Sequence, residues 1–167
     1  LGAEAVVTLD GDGQHAPEDI PRLIEASRGH ARHIIIGARL KDASAIPRIR
    51  YIANRIANFW ISWACGQRLE DSQSGFRLYP ADLLRVLSLN HDKTHGFVFE
   101  SEALIEAARL GYPSLPVAIP AVYRPGARPS HYRHVDSWHI ARMLVWRLLS
   151  RGLYLPGLYR AFFKRAK

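Results

Sequence analysis

The sequence predicts an α/β domain built on a mostly parallel sheet flanked by helices. Three observations carry that expectation. Ala5 to Leu9 is a short run rich in apolar and β-branched residues and reads as a buried strand. A helical pattern follows, with Ile20, Leu23, Ile24 and Ser27 sharing one face. His33-Ile34-Ile35-Ile36-Gly37 then reads as a second buried strand. Strand, helix, strand in this order makes a βαβ unit, and such sheets bind ligands at the carboxyl ends of their strands.

The chain has 167 residues and 48% hydrophobic content, enough for one globular domain with a real core. A single cysteine, Cys65, excludes a disulfide framework and gives no sign of a zinc site. A formal charge of +8 favours an anionic partner, whether nucleic acid, a phosphorylated small molecule or an anionic membrane surface. No uninterrupted apolar run is long enough to span a bilayer. Leu1 stands almost directly before a core strand, with no leading element, which predicts a fragment of a longer domain.

The first strand runs into Asp10-Gly11-Asp12-Gly13-Gln14-His15. Side chains at i and i+2 of an extended backbone point the same way, so Asp10 and Asp12 can converge, with Gln14 one step further. Two close carboxylates repel unless a cation lies between them, and hard oxygen ligands suit Mg²⁺ or Mn²⁺. An ordinary Asx turn is the alternative for this stretch. Pro17 to about Arg28 reads as a helix opened by proline and acidic residues. The second strand ends at Arg39, either a phosphate ligand at the strand end or a solvated loop arginine.

Lys41 to Ile46 reads as a polar loop. A long helix from about Arg48 to Cys65 carries Ile49, Ile52, Ala53, Ile56, Ala57, Trp60 and Ile61 on a broad apolar face, basic in its first half and aromatic in its second. Leu69 to Gly75 is a polar loop with Glu70 and Asp71 at its start, leading into Phe76 to Tyr79. Pro80 to Leu89 reads as a short helix, and a further helix runs from Phe97 to about Leu110. In that helix Glu100 faces either core-proximal hydrogen bonding or solvent.

Leu115 to Val122 reads as an edge strand, because its two prolines forbid a central ladder position. The loop from Tyr123 to Arg133 holds three arginines, Arg124 among them, and suits either a phosphate lid or a disordered basic loop. Residues 134–167 mix aromatic and basic residues in helical segments. That mixture predicts an amphipathic tail lying in a membrane interface, set apart from a domain at 1–133.

Taken in order, these motifs resemble the family 2 glycosyltransferases of the GT-A, Rossmann-like fold. The branch is that of dolichyl-phosphate mannose synthase and the polyprenyl-phosphate sugar synthases. The residues that carry the resemblance are Asp10-Gly-Asp12-Gly-Gln14-His15 with Pro17-Glu18-Asp19-Ile20-Pro21, then Gly37-Ala38-Arg39, then Asp71-Ser-Gln-Ser74-Gly75-Phe76-Arg77, then the Phe97–Gly111 segment. The match covers about Ala3 to Arg133. Family members begin with a further strand and a nucleotide-recognising acid that have no counterpart here, and Ser130-His131 stands where a Ser-Lys pair is common.

The resemblance implies that Asp10, Asp12 and Gln14 surround a divalent metal and the diphosphate of a nucleotide-sugar donor. Arg39 and Arg124 would bind phosphates, with Arg48 or Arg50 as a further candidate. Asp12 and Asp71 are the catalytic candidates. The implied reaction is inverting transfer of the sugar to an acceptor, tilted towards a polyprenyl phosphate by the basic late loop and tail. A lipid phosphate needs no base; a hydroxyl acceptor would use Asp71. The implied location is cytoplasmic, with peripheral attachment to the inner face of the cytoplasmic membrane and no nucleic-acid partner. Two other readings are a sugar nucleotidylyltransferase and a non-catalytic basic module for membrane or nucleic acid. The module leaves Asp10 and Asp12 unexplained, since carboxylates repel phosphate unless a metal is present.

Overall fold

The computed structural model describes residues 2–11, 13, 15–39, 48–89, 96–120 and 134–163. The expected loops at 41–46 and 123–133 lie outside them, as do the side chains of Asp12, Gln14, Arg50 and Arg124. Among the described residues four strands form one sheet: β1 (Ala5–Thr8), β2 (Ile34–Ala38), β3 (Arg77–Pro80) and β4 (Ser114–Ala118), in the order β1-β3-β2-β4. Between them run α1 (Ile20–Arg28, entered through a 3-10 turn at Pro17–Asp19), α2 (Arg48–Cys65), α3 (Ala81–Val86) and α4 (Gly96–Arg109). After β4 come α5 (His134–Leu149) and α6 (Leu155–Phe162). The arrangement is α/β and compatible with a Rossmann-like fold.

The sheet is mixed rather than mostly parallel. β2 and β4 pair in parallel, but β3 sits between β1 and β2 and is antiparallel to both. The element that breaks the expectation is β3 itself. Arg-Leu-Tyr-Pro is too short to display a period of two, and it opens on a charged residue. All four of its residues are nevertheless buried, because β3 is central in the sheet and both of its faces are covered, Leu78 by the core with α1 and Tyr79 by the core with the helical layer.

β1 differs in the opposite direction. It was expected to be buried, yet it is an edge strand among the described residues, with Val6 40% exposed. Among the described residues β4 lies at the other edge, as expected for a strand that contains Pro116. Cores form on both sheet faces, separated by the alternation of strand side chains. Ile35, Phe76, Leu78 and Ile119 pack with Leu23 of α1, whereas Ile34, Ile36 and Tyr79 pack with Ile61, Leu83 and Leu104 of the helical layer. Ile24, expected on the packed side of α1, is exposed.

The same helical layer takes in the C-terminal segment. α5 buries Ile140, Leu144 and Leu148 at helical spacing. Arg147 reaches Glu102 Oε1 at 2.6 Å and Glu106 Oε2 at 3.4 Å, tying α5 to α4. At the turn into α6, Leu153 and Tyr154 adopt left-handed backbone angles, with φ of 61° and 45°. The turn is held by Trp63 Nε1 donating to the Tyr154 carbonyl at 3.2 Å and by the Arg151 guanidinium 4.1 Å from the Tyr154 ring centre.

α2 is turned the other way from its expected orientation. Of the described apolar positions expected to face the core, only Ile61 is fully buried; the side chain of Ile49 lies outside the described residues. Ile52, Ile56, Phe59 and Trp60 are exposed, and the helix instead buries Asn58, Ser62 and Cys65. Spacing identified two faces of this helix but not which one a polar loop would cover.

Candidate active site

The carboxyl ends of β1 and β2 and the loop entering β3 meet at one point. Asp10 leaves β1, Arg39 leaves β2, and Asp71 stands in the loop between α2 and β3. Arg39 Nε donates to Asp71 Oδ2 at 3.0 Å, its Nη2 to Oδ1 at 3.4 Å, and its backbone N–H to Oδ2 at 3.1 Å. Asp71 is 1% exposed and Arg39 8%. A planar guanidinium against a buried carboxylate fixes both in one geometry.

Asp10 approaches the same loop. Gly75 N–H donates to its Oδ2 at 3.2 Å, and Thr8 Oγ1 donates to the Gly75 carbonyl at 2.7 Å. A side chain on Gly75 would collide with the Asp10 carboxyl, so only glycine permits this approach. His15 Nε2 lies 3.5 Å from Asp10 Oδ2, close enough for electrostatic attraction and too far for an aligned hydrogen bond. The imidazole is buried against the Phe76 ring, with centroids 5.4 Å apart. Its proximity holds the Asp10 carboxyl below the ordinary carboxylate range, outweighing the opposing cost of burial. Asp10 is thus an ionised, fixed oxygen donor.

The loop is clamped from two sides. Arg77, fully buried, donates from Nε to the Ser74 carbonyl at 2.7 Å, from Nη2 to the Ser72 carbonyl at 2.8 Å, and from Nη1 to the Glu100 carbonyl at 2.8 Å and Tyr79 Oη at 3.0 Å. From α2, Asn58 Oδ1 accepts from Ser72 N–H at 2.8 Å and Ser72 Oγ at 2.7 Å, while its Nδ2 donates to the Glu70 carbonyl at 2.6 Å. Asp71 lies between the two residues that Asn58 grips.

Of the sequence-identified candidates, the structure brings Asp10, Arg39 and Asp71 together; Asp12, Gln14 and Arg124 lie outside the described residues. The sequence reading missed Asn58, the clamping role of Arg77 and the contact from His15. One signal was available: Asn58, Ser62 and Cys65 recur at i, i+4 and i+7, a small and polar stripe in the otherwise apolar second half of the helix.

Glu100, half-buried at the start of α4, also feels the site. Burial is the main cause that pushes its carboxyl up to about 7, with Asp10 adding repulsion against the attraction of Arg77 and Arg39. The sign is definite. The fold favours the protonated form, so stability falls as pH rises from the ordinary 4.5 to about 7, and the penalty is complete above that window. At about 1.36 kcal/mol per pH unit the penalty is at most about 3 kcal/mol. Glu100→Gln is therefore expected to match wild type in urea unfolding near pH 4 and to be more stable near pH 8. A stability difference independent of pH would refute the assignment.

No protein-family model matches the chain. Curated relatives do. The chain is 33% identical over 131 residues to an undecaprenyl-phosphate mannosyltransferase of Micrococcus luteus, a match covering 74% of this chain and 51% of the relative. It is 34% identical over 112 residues to a UDP-N-acetylglucosamine–dolichyl-phosphate N-acetylglucosaminyltransferase of Methanococcus voltae, covering 65% and 44%. It is 27% identical over 121 residues to a polyprenol monophosphomannose synthase of Mycolicibacterium smegmatis, covering 71% and 45%. The chain thus spans about half the length of the curated relatives it matches. With the site at the strand ends and this similarity over most of its length, the chain belongs to the family 2 glycosyltransferases.

Proposed function

We propose that this chain supplies the metal and diphosphate half of a GT-A enzyme that transfers a sugar from a nucleotide-diphosphate donor to a polyprenyl phosphate, with inversion. The observation that carries the reading is the convergence of Asp10, Arg39 and Asp71 at the strand ends. The names of the relatives, two on undecaprenyl and dolichyl phosphates and one a polyprenol monophosphomannose synthase, support the choice of acceptor.

An ionised, anchored Asp10 fits a hard divalent cation, Mg²⁺ or Mn²⁺, which Asp12 and Gln14 would help to hold. Such an ion, when bound, neutralises the charge that develops on the leaving diphosphate. Arg39, oriented by Asp71, and Arg124 would hold phosphate oxygens, and fixed charges aimed at the departing group lower the barrier more than mobile ones. Both Asp71 oxygens are engaged by Arg39, so Asp71 is badly disposed to take a proton. This favours an already ionised phosphate acceptor over a hydroxyl with Asp71 as base. Family membership displaces the nucleotidylyltransferase and binding-module readings.

The acceptor's membrane, and a net charge of +8, support peripheral attachment to an anionic membrane surface on the cytoplasmic side. Among the described residues no helix is long and apolar enough to cross a bilayer. The test is calorimetric titration of the protein with GDP-mannose and UDP-N-acetylglucosamine, each with and without Mn²⁺, in wild type and Asp12→Asn. Metal-dependent binding of one donor, lost in the variant, is expected. Binding that is indifferent to Mn²⁺ and to Asp12 would remove the metal assignment, and no binding of either donor would remove the donor site.

A further inference from the structure

We propose that the outward aromatic face of α2 and α6 is a docking surface for an anionic phospholipid bilayer. The proposal rests on the membrane partner named above and adds the face that meets it. The first observation is the inverted burial of α2. Ile52, Ile56, Phe59 and Trp60 recur at i, i+4, i+7 and i+8, a single stripe, and are between 41% and 57% exposed. Nothing among the described residues covers this stripe from outside, while the opposite side of the helix holds the buried Asn58 and Ser62.

The second observation is that α6 extends the stripe rather than covering it. Gly157 lets α6 come close to α2, since a Cβ there would lie 2.9 Å from the Trp63 carbonyl oxygen. α6 turns only Gly157 and Ala161 fully inward. Phe162 stacks on Phe59, with centroids 5.0 Å apart and planes at 26°, and itself remains 38% exposed. Rings from two helices thus form one continuous surface, rigid because both helices are packed beneath it.

Charge selects the occupant. Neither α2 nor α6 contains an acidic residue; Arg48 and Arg55 are exposed on α2, and Arg160 is exposed on α6, where its guanidinium meets the Tyr154 hydroxyl. A protein partner presents both signs of charge and is usually met by both. A surface of uniformly negative headgroups over hydrocarbon is met by aromatics with arginines alone, rings at the interface and guanidinium groups among the phosphates.

The test is sedimentation with vesicles of 3:1 phosphatidylcholine and phosphatidylglycerol. Two doubly substituted variants are compared: Ile52→Glu/Ile56→Glu on the face, and Ile24→Glu/Val86→Glu at exposed apolar positions on α1 and α3. Both change the net charge equally. The face variant is expected to lose at least about tenfold in vesicle partitioning, with the control within about twofold of wild type. Equal losses in the two variants would leave the membrane partner standing and refute the face. No binding by wild type would overturn both. If the face variant loses its helical circular dichroism, quenching by brominated phosphatidylcholine decides: Trp60→Phe must lower the quenched fraction of tryptophan emission, and an unchanged fraction refutes the face.

Discussion

Arg39→Met is expected to unfold more easily than wild type by about 3–5 kcal/mol, because it strands a buried carboxylate. Asp71 is 1% exposed and would keep only the Arg39 backbone N–H of the contacts it now makes with that residue. The double variant Arg39→Met/Asp71→Leu is expected to recover most of the loss, since an apolar pair of similar volume carries no uncompensated charge. Donor binding is expected to be absent in both. That split separates a structural pair from a functional one. If the double variant regained donor binding together with stability, Arg39 would have no part in holding phosphate. Urea unfolding and calorimetry on the same preparations provide both readings.

Arg77→Met is the second large effect. It leaves the carbonyls of Ser72, Ser74 and Glu100 without their donor. Each unmet buried group costs about 1–3 kcal/mol, and relief of the guanidinium's own desolvation offsets part of the sum. A net loss of about 3 kcal/mol or more is expected, a large share of a typical domain's stability. Arg77→Lys should recover little, because one ammonium cannot reach acceptors spread around a planar fork. The loop is expected to loosen first, seen as faster amide exchange at Ser72 and Gly75 than in the β2 strand. Uniform loss of protection across the sheet would mean that Arg77 supports the whole fold rather than the loop.

The elements most legible in the sequence were those with long or strongly apolar patterns, α1, β2, α2 and α4. Their residues report periodicity directly. Asp10 and Arg39 were legible as a site because each follows a strand, and strand ends on one side of a sheet are near each other whatever lies between them. β3 was not legible. Four residues opening on an arginine carry no alternation, and only the loop and α4 carbonyls that it meets explain why that arginine is buried. The orientation of α2 was likewise hidden, since a helix with apolar residues on most of its circumference does not say which side meets the protein. Asn58 decided it, and its role depends on a loop whose position no local pattern encodes.

Asn58 has a further geometric consequence. It holds the Asp71 loop against one side of α2, while Phe59 and Trp60, its neighbours in sequence, point away on the other side. A helix with its side chains is about 10–12 Å thick. If the rings rest at the level where acyl chains begin, α2 is a spacer of set height, and it carries Asp71 and Arg39 about one helix diameter above that plane. The headgroup layer of one leaflet is about 5–8 Å deep, so the Asp71 loop would stand just above it, and a carrier's phosphate would have to rise only a few ångströms to reach the loop while its chain stays in the membrane.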